Sequence, residues 1–182
     1  VAVADKLVGT ANNAGTITTN AVETFNITST AVDIDGATNV INANGDAVTT
    51  INVSGNAGVT LGSTATTLKT VDASALTAGA LSFTANNASM TVKGGAGNDV
   101  ITISTTADGS KFYGNAGNDT FHIAAGADLI TIDGGAGKDT FDFNGVSTNK
   151  SNFVVLNNVD SGDILDLKGI DNNNGGTTDI TL

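Results

Sequence analysis

From residue 22 onward the chain alternates apolar and polar positions in short runs. Glu23-Thr24-Phe25-Asn26-Ile27, Thr50-Ile51-Asn52-Val53 and Gly58-Val59-Thr60-Leu61 are examples, and Gly, Asn and Asp separate them. A period of two puts every second side chain on one face, which predicts half-buried strands joined by turns. Helix is predicted at most as a single turn within residues 71–80, and residues 1–21 carry no pattern that assigns them.

A longer period overlies the short one. Gly94-Gly95-Ala96-Gly97-Asn98-Asp99, Gly114-Asn115-Ala116-Gly117-Asn118-Asp119 and Gly134-Gly135-Ala136-Gly137-Lys138-Asp139 begin 20 positions apart. Aligned at that spacing, Val92, Phe112 and Ile132 share a column, as do Ile101, Phe121 and Phe141, and Ile103, Ile123 and Phe143, while Thr102, His122 and Asp142 fall on the opposite face. Carried upstream, the same spacing sets Leu81 and Phe83 at the positions of Ile101 and Ile103, with Leu61 one period earlier. A 20-residue coil of two strands and two turns cannot bury its apolar face alone, so successive coils must stack. The expectation is an all-β, right-handed parallel β-solenoid (β-roll or β-helix) forming one continuous domain. Residues 1–90 are metal-poor coils, 91–148 glycine-rich coils, and 149–182 a C-terminal β cap. In that cap Phe153-Val154-Val155-Leu156 and Asp163-Ile164-Leu165-Asp166-Leu167 read as strands closing the core, and Asp171-Asn172-Asn173-Asn174-Gly175-Gly176 reads as a loop.

Charge narrows the chemistry. Eighteen acidic residues, all aspartate except Glu23, stand against seven lysines and no arginine, for a net charge of −11. That balance opposes nucleic acid and anionic membrane and favours a cationic partner. With no cysteine there is neither a disulfide nor a thiolate metal site, which leaves oxygen ligands for a hard cation. No apolar run reaches the ~20 residues of a membrane span, and no signal peptide opens the chain. Because it begins at Val1 rather than methionine, it is read as a fragment or a processed product.

The glycine-rich turns follow the pattern G-G-x-G-x-D-x-U-x, with U a large apolar residue, and so resemble the calcium-binding RTX (repeats-in-toxin) β-roll family. The first and third copies match at every defined position; the second has Asn115 at the second glycine. Glycine permits left-handed geometry and close backbone approach, so a tight turn can aim several carbonyls at one point. Ca²⁺ takes 6 to 8 oxygens, more than one turn supplies, so stacked turns must share each ion and three turns give at least two sites. The resemblance implies that one turn supplies the carbonyls of its first and third positions, the next those of its second and fourth, and both supply the aspartate. The metal-binding candidates are then Gly94, Gly95, Ala96, Gly97 and Asp99; Gly114, Asn115, Ala116, Gly117 and Asp119; and Gly134, Gly135, Ala136, Gly137 and Asp139. Asp99 with Asp119 would hold one ion and Asp119 with Asp139 the other, and Asn115 would contribute its carbonyl, leaving the site intact. Asp160, Asp163 and Asp171 are secondary metal candidates in acidic turns.

The opposite edge lacks the motif, so Asp108 and Asp128 are expected to be solvated turn residues, with calcium along one edge only. His122 is expected to be exposed and polar, and no residues have the spacing of a catalytic set; neither HExxH nor G-x-S-x-G occurs. The resemblance implies a secreted protein that passes unfolded through a type I secretion machine and folds on meeting external calcium. The composition of the upstream coils resembles bacterial S-layer proteins of the RTX type. The function expected is therefore non-enzymatic: a structural, calcium-binding part of an extracellular cell-surface coat that self-associates into an array, with lipopolysaccharide or another surface anchor engaged through the rest of its parent protein. The alternatives are the secretion and folding module of an RTX metalloprotease or lipase, or an RTX adhesin. An ice- or carbohydrate-binding face is disfavoured because Thr91, Lys111 and Thr131 do not form a uniform threonine column.

Overall fold

A computed structural model describes residues 6–8, 13–18, 21–30, 38–124, 127–145, 153–168 and 179–181. Seventeen strands are found among them, and no helix. The first half holds β1 (Lys6–Val8), β2 (Asn13–Thr18), β3 (Thr24–Thr30), β4 (Thr38–Asn44), β5 (Thr50–Gly55), β6 (Gly58–Gly62), β7 (Thr70–Leu76) and β8 (Leu81–Ala85). The second half holds β9 (Thr91–Lys93), β10 (Val100–Ile103), β11 (Lys111–Tyr113), β12 (Thr120–Ala124), β13 (Ile130–Asp133), β14 (Thr140–Gly145), β15 (Phe153–Asn157), β16 (Ile164–Asp166) and β17 (Asp179–Thr181). Odd-numbered strands form one sheet of nine, even-numbered strands one of eight, and every pairing is parallel to the strand one coil away. The chain is a right-handed parallel β-solenoid.

The apolar columns are continuous down the interior. Phe25, Ile51, Val71, Val92, Phe112, Ile132 and Leu156 stand in register in one sheet. Ile41, Leu61, Phe83, Ile101, Phe121, Phe141 and Leu165 do so in the other. The Phe121 and Phe141 rings stack with centroids 5.6 Å apart and planes 8° off parallel, a geometry that adds to simple burial. Among the described C-terminal residues, β15 and β16 continue both sheets in register.

Three sequence expectations change here. Phe83, not Leu81, pairs with Ile101, and Ala85, not Phe83, with Ile103; Leu61 likewise pairs with Phe83. The 20-residue step recurs upstream from Ile41 to Leu61 and from Ile51 to Val71, but the steps from Phe25 to Ile51, Leu61 to Phe83, Val71 to Val92 and Phe83 to Ile101 are 26, 22, 21 and 18 residues, because the turns there differ in length. Residues 71–80 contain no helical turn. Ser54 pairs with Ala75 across a bulge, so the buried residues Val71, Ala73 and Leu76 acquire a three-residue step that mimics helical spacing. Threonine does form an outward run, Thr24, Thr50, Thr70 and Thr91, which Lys111 breaks before Thr131 and which gives way to Val155 in the next coil. It was hidden because these coils are unequal in length.

Truncating Phe121 to Ala removes the ring stack at the centre of the column. It is expected to lower stability by about 3–5 kcal/mol, read as a shift in the urea midpoint by circular dichroism; a change within experimental error would contradict this packing.

Candidate metal centre

Each glycine-rich turn joins a strand of the nine-stranded sheet to one of the eight-stranded sheet, and it spans nine residues from core position to core position: Val92 to Ile101, Phe112 to Phe121, Ile132 to Phe141. Two residues before each of the latter lies the aspartate. Alternation turns it inward, so Asp99, Asp119 and Asp139 are each only 1% exposed.

The three carboxylates form a ladder along the solenoid axis. Asp99 N–H donates to Asp119 Oδ1 at 2.7 Å, and Asp119 N–H to Asp139 Oδ1 at 2.9 Å. The carbonyls repeat the pattern, Asp99 accepting from Thr120 N–H and Asp119 from Thr140 N–H, both at 2.8 Å. Outside it, Asn98 Oδ1 accepts Asn118 N–H and Asn118 Oδ1 accepts Lys138 N–H.

The second carboxylate oxygens are not equivalent. Asp99 Oδ2 accepts Gly95 N–H at 2.7 Å, whereas Asp119 Oδ2 and Asp139 Oδ2 are buried without any hydrogen-bond partner. A Cβ placed on Gly114 would collide with Asp119 Oδ2 and with the carbonyl oxygen of Gly134. Two oxygens therefore crowd one small space that only glycine leaves open. Lone pairs facing each other in a dry site repel unless a cation or a proton lies between them. The fourth-position glycines add to this: Gly137, at φ +148°, stacks directly on the carbonyl of Gly117, and Gly117 on that of Gly97. The turn carbonyls thus point along the axis from one coil toward the next.

Burial, with the neighbouring Asp99 and Asp139 carboxylates adding to it, pushes Asp119 up to about 7. Burial pushes Asp99 up to about 6, and Asp139 is raised by burial together with Asp163, Asp133 and Asp160. Metal-free, each of these groups holds its proton more strongly than a solvated aspartate does; a bound cation would favour the carboxylate. Among the described residues no three His, Cys, Asp or Glu side chains converge on one point. A hard cation here would therefore draw most of its oxygens from the backbone. The residues fit such an ion: axial carbonyls, paired aspartates and partnerless buried oxygens are the donors Ca²⁺ takes.

The ladder has a fourth member. Asp139 N–H donates to Asp163 Oδ1 at 2.8 Å, Asp160 N–H to Asp163 Oδ2 at 2.7 Å, and Ile164 N–H to the Asp139 carbonyl. Asp163 thus stands in line with the motif aspartates, while Asp160 supplies backbone groups to the turn. The turn 158–163 lacks the motif glycines, but the signal was present: Leu156 to Leu165 is again nine residues. Asp171 lies outside the described residues.

Asn115 behaves differently from the expectation of a carbonyl donor alone. It adopts φ +73°, and its Nδ2 donates to the Gly94 carbonyl at 2.7 Å, placing an amide on one of the expected ligand oxygens. The carbonyls of Gly95 and Asn115 also accept N–H groups of Ala116 and Ala136. Asp119 Oδ2, beside the Gly134 carbonyl, is left unsatisfied between the second and third turns, whereas between the first and second turns Asp99 Oδ2 and the Gly94 carbonyl are both satisfied from within. On the opposite edge, Asp108 Oδ1 accepts Asp128 N–H at 2.9 Å and Asp128 Oδ1 accepts Leu129 N–H. Both are turn caps on an edge with its own repeat of left-handed residues, Ser89, Gly109 and Leu129. His122 is exposed and pairs with Asp142 at 2.8 Å.

The chain matches no protein-family model and no curated protein.

Because the folded values lie above the ordinary 3.8 of aspartate, the metal-free fold binds more protons than the unfolded chain. The stability these two carboxyls contribute is complete below about pH 4 and is lost as pH rises through 6 to 7. In chelator, the urea midpoint is expected to be higher at pH 5 than at pH 8; a midpoint that rises with pH would contradict this carboxyl burial.

Proposed function

We propose that this chain is a structural, calcium-binding segment of a secreted bacterial surface protein, in which Ca²⁺ completes the fold of the glycine-rich coils. The observation that carries the reading is the pair of buried, partnerless oxygens, Asp119 Oδ2 and Asp139 Oδ2, the former crowded against the Gly134 carbonyl. Asp99, Asp119 and Asp139, with carbonyls of their turns, would hold at least two ions, and Asp163 would complete the last interval. When bound, calcium supplies the positive charge that turns a repulsive carboxylate column into a cohesive one. The resemblance to RTX turns makes the calcium-rich exterior of the cell the place where this happens.

A surface coat is the role that suits the rest of the molecule. Outward positions of the upstream coils are polar and mutually paired, as with Asn52 Nδ2 on Asn26 Oδ1 at 2.8 Å and Lys93 on Asp72 at 2.8 Å. Such a face favours lateral contact between copies in a hydrated array, anchored to lipopolysaccharide or another surface component through the rest of the parent protein. We assign the chain no catalytic role.

Calcium titration of the purified chain at pH 7.5, followed by circular dichroism and particle size together, tests both levels. Strand signal that rises with calcium, with growth in particle size, is the expected result. Folding without growth would remove the array, and a signal indifferent to calcium would remove the calcium role. Asp119→Ala, which strips a carboxylate from two intervals, is expected to raise the calcium midpoint by at least about tenfold.

A further inference from the structure

One register column runs the length of the solenoid and changes character part-way. Asn39, Val59 and Leu81 occupy in successive coils the position that Asp99, Asp119, Asp139 and Asp163 occupy downstream. The junction is a direct bond, Leu81 N–H to Asp99 Oδ1 at 2.6 Å. Asn39, Val59, Leu81 and the three motif aspartates are all at most 1% exposed, so the site is equally dry on both sides of it.

What fills the column decides what the coils need. Val59 and Leu81 contribute to the core, and Asn39 is neutral, its Nδ2 donating to buried Ser29 Oγ at 2.6 Å. Asn39 Oδ1 lacks a partner, but an unpaired amide oxygen costs far less to bury than an ionised carboxylate. Among the described residues, the acidic side chains of these upstream coils sit elsewhere: Glu23 and Asp46 are exposed, and Asp72 is paired with Lys93. Phe25, Ile51, Leu68, Val71, Leu76, Leu81 and Phe83 give them a core of their own.

We propose that the chain is built in two halves of different calcium dependence: β3 to β8 form a platform that stays folded without calcium, and the coils from Asp99 onward form on it only when calcium is present. The inference rests on the calcium reading above but goes beyond it, since calcium binding alone would equally suit a solenoid that folds and unfolds as one unit. The junction suits a template. Val100 to Ile103 pair with Ser82 to Ala85, and Asp99 has both carboxylate oxygens satisfied, by Leu81 and Gly95, so the first gated coil demands least of the cation.

Hydrogen exchange read by mass spectrometry on the full chain at pH 7.5, in calcium and then in chelator, separates the possibilities. Chelation is expected to accelerate exchange in β10 to β16 by at least about 100-fold while β3 to β8 keep their protection. Loss of protection in both halves together would overturn the two-part construction and leave the calcium reading standing. No change in either half would overturn both. The triple variant Asp99→Asn, Asp119→Asn, Asp139→Asn makes the downstream column neutral like Asn39, and it is expected to keep β10 to β14 protected in chelator. Should that variant fold poorly, Leu81→Asp, which moves the boundary one coil upstream, is expected to make β8 chelator-sensitive; protection of β8 unaffected by chelator in that variant would count against the proposal.

Discussion

A row of aspartates held inside a β-solenoid is the constraint to which the rest of the downstream half answers. Strand alternation forces the residue two before Ile101, Phe121 and Phe141 to face inward, and parallel stacking then places each carboxylate one coil from the next. Leaving an ionised carboxylate dry and unpaired costs several kcal/mol even after relaxation, and like charges in a column add to that. The backbone meets part of the demand by donating each aspartate N–H to the next carboxylate. It cannot meet the remainder, because the glycine turns present carbonyls, not N–H groups, to Asp119 Oδ2. Oxygen facing oxygen calls for a cation at neutral pH or a proton in acid, and burial together with the Asp99 and Asp139 carboxylates separately raises Asp119 to about 7.

The intervals between coils differ in how far the protein satisfies them without help. Between Asp99 and Asp119, the Asn115 amide covers the Gly94 carbonyl and Gly95 N–H covers Asp99 Oδ2. Between Asp119 and Asp139 neither substitute is present. At the last turn the ladder ends on Asp163, whose own N–H is satisfied locally by the Asp160 carbonyl at 3.1 Å, so the column terminates within the chain's own turn. A graded column of this kind joins a self-sufficient solenoid at one end to its most demanding interval in the middle.

Much of this was legible in the sequence because the motif and the core repeat together. The columns through Phe112 and Phe121 and the inward aspartates follow from a 20-residue period combined with alternation, and both are local properties of the glycine-rich coils. What was not legible depends on chain length around turns of other kinds. Leu81 and Asp99 are equivalent although 18 residues apart, and a bulge in β7 disguised strand as helix. Asp163 was legible only as a secondary candidate in an acidic turn, because that turn lacks the motif glycines, although the nine-residue step from Leu156 to Leu165 sets it in the column. The Asn115 side-chain bond to Gly94 depends on a contact between coils that no single turn encodes.

The central claim is that the aspartate column is a cation site, and the most direct measurement is the number of Ca²⁺ ions bound per chain by equilibrium dialysis at pH 7.5 and at pH 5. Two or more ions at pH 7.5, with weaker binding at pH 5 as protons compete for Asp99 and Asp119, is the predicted result. A chain that binds no calcium at pH 7.5 would contradict the account.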